Sequence, residues 1–208
     1  MTTEDTNDLT SVTDKAQLRK ALRASRRALA PQAQQAAAEG LLSQLLGLPS
    51  FIESDRIALY LANDGEIDPV RVIHWCQQQG RKSYLPVVRQ HDGRNSLVFA
   101  EVVADSEFID NRFGIPEPVT APKDLIQAQE LDLVLLPLVG FDQHGNRIGM
   151  GGGFYDTTFE FLKQQKNPKP ELVGIAHEIQ RVGKIEAESW DVPLTTVVTD
   201  ENIYTLTR

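Results

Sequence analysis

Several features that mark well-known classes of protein are absent from this chain, or nearly so. A single cysteine, Cys76, permits no intrachain disulfide and no thiolate cluster for zinc. It lies among apolar residues of a predicted helix, so we expect a buried and unreactive thiol. The four histidines form no HxxxH or HExxH pair, which argues against a metal site built on His or Cys. No run of about 18 apolar residues occurs, and we therefore expect no membrane span.

The chain also has fewer basic residues than acidic ones. Because 21 Lys and Arg residues stand against 29 Asp and Glu residues, the net charge is -8, and neither nucleic acid nor an anionic membrane is expected as a partner. The polar, acidic N-terminus is unlike a secretory signal, so a cytoplasmic protein is expected. Residues 1–12 lack apolar periodicity and are expected to form a disordered tail. Residues 13–208 are expected to form one domain, and that domain is expected to be a monomer.

The pattern of apolar residues predicts alternating helices and strands. One helix is predicted from Asp14, as its N-cap, to about Leu29, and a second begins at Pro31. A further helix, capped by Asp68, lies between the first two predicted strands and gives a strand-helix-strand unit. Short apolar or β-branched runs predict strands at residues 56–62, 82–88, 97–103, 132–139, 171–176 and 195–200.

The fold class follows from the strand at residues 132–139. Its sequence, DLVLLPLV, is apolar on both faces, as expected for a central strand of a parallel sheet covered by helices on either side. We therefore predict an α/β fold: a single three-layer domain with a mostly parallel central sheet flanked by helices. In such folds ligands bind beyond the carboxyl ends of the strands.

One segment departs from the acidic character of the chain. Residues 15–27, KAQLRKALRASRR, contain basic residues and no acidic one. At helical spacing the basic side chains form a stripe beside an apolar one. Two interpretations stay open: a solvated face of the helix, or a wall that binds an anion. The basic stripe comprises Lys15, Arg19, Arg23 and Arg26, and the apolar stripe comprises Leu18, Leu22, Ser25 and Leu29.

A glycine-rich stretch, RIGMGGGFYD (147–156), follows the predicted central strand and precedes a helix that is expected to run to about Gln165. Bare backbone of this kind lets several N–H groups converge on an anion such as phosphate. No Lys-Ser/Thr follows the glycines, so the stretch is not a P-loop, and Phe154 stands where the dinucleotide motif GxGxxG needs its third glycine. A simple tight turn is the alternative, although one or two glycines would make it. Arg147 and Asp156 flank the glycines and suit phosphate oxygens and magnesium, respectively.

Two further carboxylates are candidates. In NDGEID (63–68), Asp68 is assigned to helix capping, which leaves Glu66 either to face a ligand or to lie in solvent. Asp191 precedes the last predicted strand, and by position alone it is a turn residue.

Taken in order, these motifs resemble the 5-formyltetrahydrofolate cyclo-ligase family, also called methenyltetrahydrofolate synthetase. The resemblance covers roughly residues 14–204, and the matching segments are KAQLRKALRASRRAL, YLANDGEID, FGIPEP (113–118), DLVLLPLVGFDQHG, RIGMGGGFYD and LVGIAHEIQ...WDVPLTTVVTDENIY. It implies a fold akin to the ribose-phosphate isomerase and CoA-transferase group. It also implies an ATP- and Mg²⁺-dependent conversion of 5-formyltetrahydrofolate to 5,10-methenyltetrahydrofolate, with release of ADP and phosphate.

The resemblance also implies roles for individual residues, and the catalytic ones are Arg147 and Tyr155. The magnesium positions are Asp156 and Asp191. The implied ATP contacts are Lys15, Arg19, Arg147, Ile148, Gly149, Met150, Gly151, Gly152, Gly153, Phe154 and Tyr155. The implied folate contacts are Leu61, Glu66, Met150, Gly151, Gly152, Gly153 and Phe154.

This chain departs from the family's pattern at three positions. The family often has Arg or Tyr where Met150 stands, commonly Tyr where Phe154 stands, and frequently His where Trp190 stands. These departures affect fine substrate contacts and leave the glycines in place. Two alternative functions are a folate- or nucleotide-binding regulatory protein without turnover and a sugar-phosphate isomerase. Magnesium carboxylates are superfluous in the first, and the basic stripe has no use in the second, so the enzyme is favoured.

Overall fold

The computed structural model describes residues 14–165, 169–186, 188, 190–192 and 194–206, so the tail predicted at residues 1–12 lies outside the described part of the chain. Its α-helices are α1 (Lys15–Arg27), α2 (Pro31–Leu46), α3 (Pro49–Glu53), α4 (Val70–Gln78) and α5 (Phe154–Thr158). Its strands are β1 (Arg56–Ala58), β2 (Lys82–His91), β3 (Arg94–Val102), β4 (Phe108–Asp110), β5 (Pro116–Pro118), β6 (Leu133–Pro137), β7 (Gly140–Phe141), β8 (Arg147–Ile148), β9 (Glu171–Ile175), β10 (Thr196–Val198) and β11 (Ile203–Thr205). Short 3₁₀ turns lie at Pro122–Asp124, Ala128–Glu130, Glu160–Gln164 and Glu178–Gln180.

Seven strands form the main sheet, in the order β11-β10-β9-β6-β1-β2-β3. The five inner strands are parallel, and β3 and β11 pair antiparallel at the two edges. This arrangement confirms the predicted α/β fold with a mostly parallel sheet, and β6 is its middle strand as expected. Strand β11 and the short strands β4, β5, β7 and β8 were not predicted. The pairs β4–β5 and β7–β8 form two small separate sheets.

The main sheet is buried on both faces, which explains the apolar character of β6. Successive side chains of a strand point to opposite faces. Leu133 and Leu135 pack in the core cluster that contains α2, α3 and α4 residues, whereas Val134 and Leu136 pack on the other side with Phe99 and residues of the 154–162 segment. No helix among the described residues is both long and apolar enough to cross a bilayer.

The predicted helix starts agree with the structure to within one residue, since α4 begins at Val70 with Pro69 as its N-cap. The side chain of Asp14 accepts a hydrogen bond from the Ala16 N–H at 2.8 Å, and Asp68 Oδ1 accepts one from the Val70 N–H at 2.9 Å. Pro31 is the first residue of α2. Cys76 is buried, as expected, and burial raises the pKa of its thiol to about 11, which leaves the thiol protonated and unreactive.

The segment after the glycines differs from its prediction. One helix was expected to reach Gln165, but α5 ends at Thr158 and a 3₁₀ turn follows. The Thr158 hydroxyl donates to the Phe154 carbonyl at 2.7 Å and accepts from the Leu97 N–H of β3 at 2.8 Å. A Thr side chain that bonds to backbone in this way competes with regular helix, and here it ties the helix end to the sheet.

Strand order creates a crevice at the carboxyl end of the sheet. From β1 the chain passes to β2 on one side, whereas β6 lies on the other side of β1, so the connections diverge between β1 and β6. Such a switch point is where open α/β sheets bind ligands. Helix α1 lies beside this crevice because Leu18 and Leu22 pack against Val139, Ile148 and Ile185.

Candidate active site

A cavity of about 800 Å³ opens at this crevice. Its volume is in the range of small-molecule and cofactor sites. Each site residue named from the sequence lies in its lining, although those residues are spread from α1 to the segment before β10. The predicted residues that line it are Lys15, Arg19, Leu61, Glu66, Asp191 and all residues from Arg147 to Asp156.

The glycine loop (residues 149–153) bonds to the rest of the described chain through its carbonyl groups and not through its N–H groups. The Gly149 carbonyl accepts from Arg19 Nε at 2.8 Å, and the Gly152 carbonyl accepts from Asn95 Nδ2 at 3.0 Å. No backbone N–H of the loop donates to another residue of the described part of the chain. Gly151 and Gly153 have φ of +88° and +68°, which other residues adopt only with strain. The loop therefore offers several free donors to an anion.

Arg147 and Asp156 form an ion pair at the end of this loop. Arg147 Nη2 lies 2.5 Å from Asp156 Oδ1, and Arg147 Nη1 donates to the Val192 carbonyl. The Arg147 side chain is 8% exposed, and its burial lowers its pKa while Asp156 and Asp191 act in the opposite direction. The sequence suggested a guanidinium fork that holds phosphate. In the structure Asp156 and Val192 engage both of its Nη atoms, so the fork also fixes the Asp156 carboxylate.

The carboxylates of Asp156 and Asp191 lie on neighbouring segments. The Val192 N–H donates to Asp156 Oδ1 at 3.1 Å, and Asp191 Oδ2 accepts from the Glu188 N–H at 2.9 Å. No cluster of three or more His, Cys, Asp and Glu side chains suited to a metal occurs in the described residues. Mg²⁺ is commonly held by one or two carboxylates together with substrate phosphates. The carboxylates of Asp156 and Asp191, next to a loop that can bind phosphate, therefore suit Mg²⁺.

The basic stripe on α1 divides into two parts. Lys15 Nζ pairs with Glu188 at 2.8 Å and Arg19 bonds the glycine loop, so both contribute to the cavity wall. Arg23 and Arg26 instead pair with Asp64 at 2.6 and 3.0 Å. Neither open interpretation holds for the whole stripe, because its first half lines the cavity and its second half binds an acidic loop of the protein.

That acidic loop (residues 63–68) follows β1 and presents Glu66 to the cavity. Glu66 is not a solvated carboxylate: its side chain is 12% exposed, Oε2 accepts from the Asn63 N–H at 3.1 Å, and Oε1 lies 3.4 Å from Arg26 Nη2. Burial raises the pKa of Glu66, and the charge of Arg26 opposes that rise. The loop turns at Asp64 and Gly65, which both have positive φ.

Tyr155 lies between the two loops. Its ring stacks on Phe159 with centroids 6.3 Å apart, and burial raises the pKa of its phenol, with the nearby Glu66 charge adding to the rise. The phenol is therefore neutral and a hydrogen-bond donor near pH 7. Its hydroxyl makes no hydrogen bond to another described residue.

An apolar wall of the cavity was missed by the sequence reasoning. It comprises Pro86, Val88, Leu97, Phe113 and Ile115. Phe113 meets Phe154 edge to face, with ring centroids 5.7 Å apart. The segment FGIPEP has no local signal that would show Phe113 to meet Phe154, the residue directly after the glycine loop. Met150 and Trp190, two of the departures from the family's pattern, line the cavity as exposed side chains.

Comparisons with known proteins agree with this geometry. The profile of the 5-formyltetrahydrofolate cyclo-ligase family matches residues 11–200. A 5-formyltetrahydrofolate cyclo-ligase of Escherichia coli strain K12 is 37% identical over 183 residues, covering 88% of this chain and 98% of that protein. The protein of the same name from Haemophilus influenzae is 36% identical over 182 residues, covering 88% and 95%. The NMR structure of Aquifex aeolicus 5,10-methenyltetrahydrofolate synthetase superposes with a TM-score of 0.78 at 27% identity, covering 93% of each chain. Because these matches span nearly its whole length, the chain belongs to the 5-formyltetrahydrofolate cyclo-ligase family.

Proposed function

We propose that this protein converts 5-formyltetrahydrofolate to 5,10-methenyltetrahydrofolate in an ATP- and Mg²⁺-dependent reaction that releases ADP and phosphate. The observation that carries the proposal is the composition of a single cavity. One part combines the N–H groups of the glycine loop, which pair with no described residue, with Lys15 and Arg19, and another part combines Glu66 with the apolar wall. The first suits a triphosphate and the second suits a folate.

The proposed chemistry consists of two substitutions. The N5-formyl oxygen attacks the γ-phosphorus of ATP, and the bond from phosphorus to the bridging oxygen breaks so that ADP leaves. N10 then attacks the activated formyl carbon. The C–O bond breaks, phosphate departs with the proton of N10, and the ring closes as a cation shared by N5 and N10. Such a reaction depends on positioning and on charge neutralisation more than on an acid-base pair.

Phosphate binding is assigned to the glycine loop and α1. The free N–H groups of the loop supply uncharged donors, which bind an anion without carrying a side chain into the site. Arg19 fixes the loop through Nε at 2.8 Å from the Gly149 carbonyl and keeps its Nη atoms for phosphate oxygens. Lys15 adds a point charge at the same wall.

Metal binding is assigned to Asp156 and Asp191. Mg²⁺ bound there would neutralise charge on the transferring phosphoryl group. Arg147 holds Asp156 in place through its 2.5 Å ion pair, and in this way it contributes to metal binding.

Folate binding is assigned to the opposite part of the cavity. Glu66 is an acceptor for N–H donors of the pterin, and Leu61, Met150 and Phe154 supply apolar contact. The Tyr155 hydroxyl, which donates to no described residue, is assigned as a donor to the oxygen on which negative charge develops.

The test is an absorbance assay of methenyl product formation with purified protein, 5-formyltetrahydrofolate, ATP and Mg²⁺. We expect a rise in absorbance that stops when ATP is omitted or Mg²⁺ is chelated, with ADP and phosphate formed one for one with product. No ATP-dependent rise would overturn the enzyme assignment. Binding of both ligands without turnover would instead identify a regulatory binding protein, and a rise without ATP would exclude phosphoryl activation.

A further inference from the structure

Arg26 belongs to the basic stripe of α1, yet its position on the helix is buried. It continues the buried line of Leu18 and Leu22 at a spacing of four, and its side chain is 0% exposed. Burial of a guanidinium has a large desolvation cost, and well-placed partners do little more than offset it. An apolar residue of similar size at the same position often gives a protein that is at least as stable. The partners of Arg26 therefore indicate what this charge does that an apolar side chain does not.

Those partners lie on both sides of the crevice. Arg26 Nε donates to the Asp64 carbonyl at 2.9 Å, and Nη1 donates to the Leu138 carbonyl at 3.2 Å. Nη2 lies 3.0 Å from Asp64 Oδ2 and 3.4 Å from Glu66 Oε1. Asp64 and Glu66 belong to the acidic loop after β1, and Leu138 directly follows β6. One guanidinium thus connects α1 to the two loops that meet at the switch point.

The two carboxylates differ in what else holds them. Asp64 also pairs with Arg23 at 2.6 Å and with Arg27 at 3.3 Å. Within the described ranges, Glu66 has a single ion-pair partner, Arg26. Loss of the Arg26 guanidinium would therefore leave Asp64 paired and leave Glu66 without an ion-pair partner in the described part of the chain.

We propose that Arg26 is a positioning residue for the folate substrate, which acts by fixing the Glu66 carboxylate in the cavity. The proposal rests on the function proposed above, in which Glu66 accepts hydrogen bonds from the pterin. A carboxylate held at one oxygen by Arg26 and at the other by the Asn63 N–H has a fixed plane, so it meets the donors of a ligand without reorganising. Arg26 itself is not among the residues that line the cavity.

The charges around Glu66 give the effect its direction. The groups that face it are Arg23 and Arg26 on α1, Asp64 in its own loop, Tyr60 beyond β1, and Tyr155 on α5. Burial raises the pKa of Glu66, and Arg26 supplies the largest opposing effect. Without Arg26 the carboxylate would be both freer to rotate and easier to protonate, and each change weakens it as an acceptor.

The decisive experiment compares Arg26→Met with Arg23→Gln. Arg26→Met removes the one ion-pair partner that Glu66 has among the described residues, with little change in side-chain volume. Arg23→Gln removes an ion-pair partner of Asp64 and leaves the pair of Arg26 and Glu66 in place. Binding of 5-formyltetrahydrofolate and, separately, of Mg²⁺–ATP is measured by calorimetry. We expect Arg26→Met to weaken folate binding by about tenfold or more and ATP binding by less than about threefold. Arg23→Gln is expected to change either affinity by less than about threefold.

A second variant guards against misfolding. Arg26→Lys keeps the charge but not the fork, so it is expected to lose part of the folate affinity while circular dichroism and thermal melting show a folded protein. Folate binding at the wild-type level in Arg26→Met or Arg26→Lys would overturn the proposal. An equal loss of folate and ATP binding would also overturn it, because that result is what a purely structural role predicts.

An NMR measurement on the protein without ligand separates this proposal from the proposed function. The Asn63 N–H donates to Glu66, so the chemical shift of this amide is expected to change in Arg26→Met and to remain as in the wild type in Arg23→Gln. An unchanged chemical shift of the Asn63 amide in Arg26→Met would show that Arg26 does not orient Glu66. A wild-type protein that binds no 5-formyltetrahydrofolate would overturn the proposed function, and this NMR result would then decide the role of Arg26 alone.

Discussion

The glycine loop and the acidic loop face the same cavity, but their polar groups are used in opposite ways. In the glycine loop the carbonyls of Gly149 and Gly152 accept side-chain bonds, and the N–H groups pair with no described residue. In the acidic loop the three carboxylates already have partners within the protein. The Asn63 N–H bonds to Glu66, and Asp64 is held by Arg23 and Arg26.

This difference indicates what each loop recognises. Unpaired backbone donors lose little when they bind, because no internal bond has to be broken first, and they suit a ligand with many acceptor oxygens such as a triphosphate. A carboxylate held by an arginine is fixed in direction and suits a ligand with defined N–H donors. Substitutions on the two sides should therefore act on different kinetic constants.

The largest effect is expected on the phosphate side from Asp156→Asn. The amide keeps the size of the side chain but removes the charge that pairs with Arg147 and is assigned to Mg²⁺. We expect turnover to fall by about a hundredfold or more, with binding of 5-formyltetrahydrofolate in the absence of ATP altered by less than about threefold. Initial rates and calorimetry measure the two quantities. Asp105→Asn, an exposed site away from the cavity, is the matched control, and near-normal turnover in Asp156→Asn would remove this residue from the metal assignment.

On the folate side, Glu66→Gln is expected to raise KM for 5-formyltetrahydrofolate by about tenfold and to change KM for ATP little. Because the pKa of Glu66 is raised, the ionised acceptor is present at high pH and is lost as pH falls through a value above the usual range of a glutamate. Wild-type folate affinity should therefore decline on mild acidification, and the variant should lack that decline. Glu53→Gln, at an exposed position, is the control. If Glu66→Gln showed the same decline of folate affinity at low pH, that decline would belong to another group.

The smallest effect is expected from the backbone itself. In Gly153→Ala the added Cβ meets only Thr157 Oγ1, 4.0 Å away, so the change acts through φ of +68° and not through a clash. Strain of about 1 kcal/mol predicts a rise of KM for ATP by about fivefold. Gly149→Ala, where a Cβ meets nothing within 4 Å and φ is not left-handed, should have a smaller effect. Equal effects in the two variants would show that loop conformation does not set ATP affinity.

Local patterns predicted much of the fold correctly. The central strand was identified because burial on both faces leaves an uninterrupted apolar run, and the helix starts were identified because Asp14 and Asp68 cap within two residues of their own positions. Strand β11 was missed because it has only three residues, too few for a local pattern, and its pairing with β10 is what makes it a strand. The end of α5 was misplaced because the bond between Thr158 and Leu97 joins residues 61 positions apart.

The sequence by itself determined where the glycines, the basic helix and the carboxylates stand relative to the strands, because these features depend on neighbours within a few residues. Only the tertiary structure decided what each charge does. Arg19 reaches Gly149 and Arg26 reaches Asp64, contacts that span 130 and 38 residues and separate two side chains of one helical stripe. The free energy of a charge depends on its burial and on its partners, and both are set when distant segments meet at the switch point of the sheet.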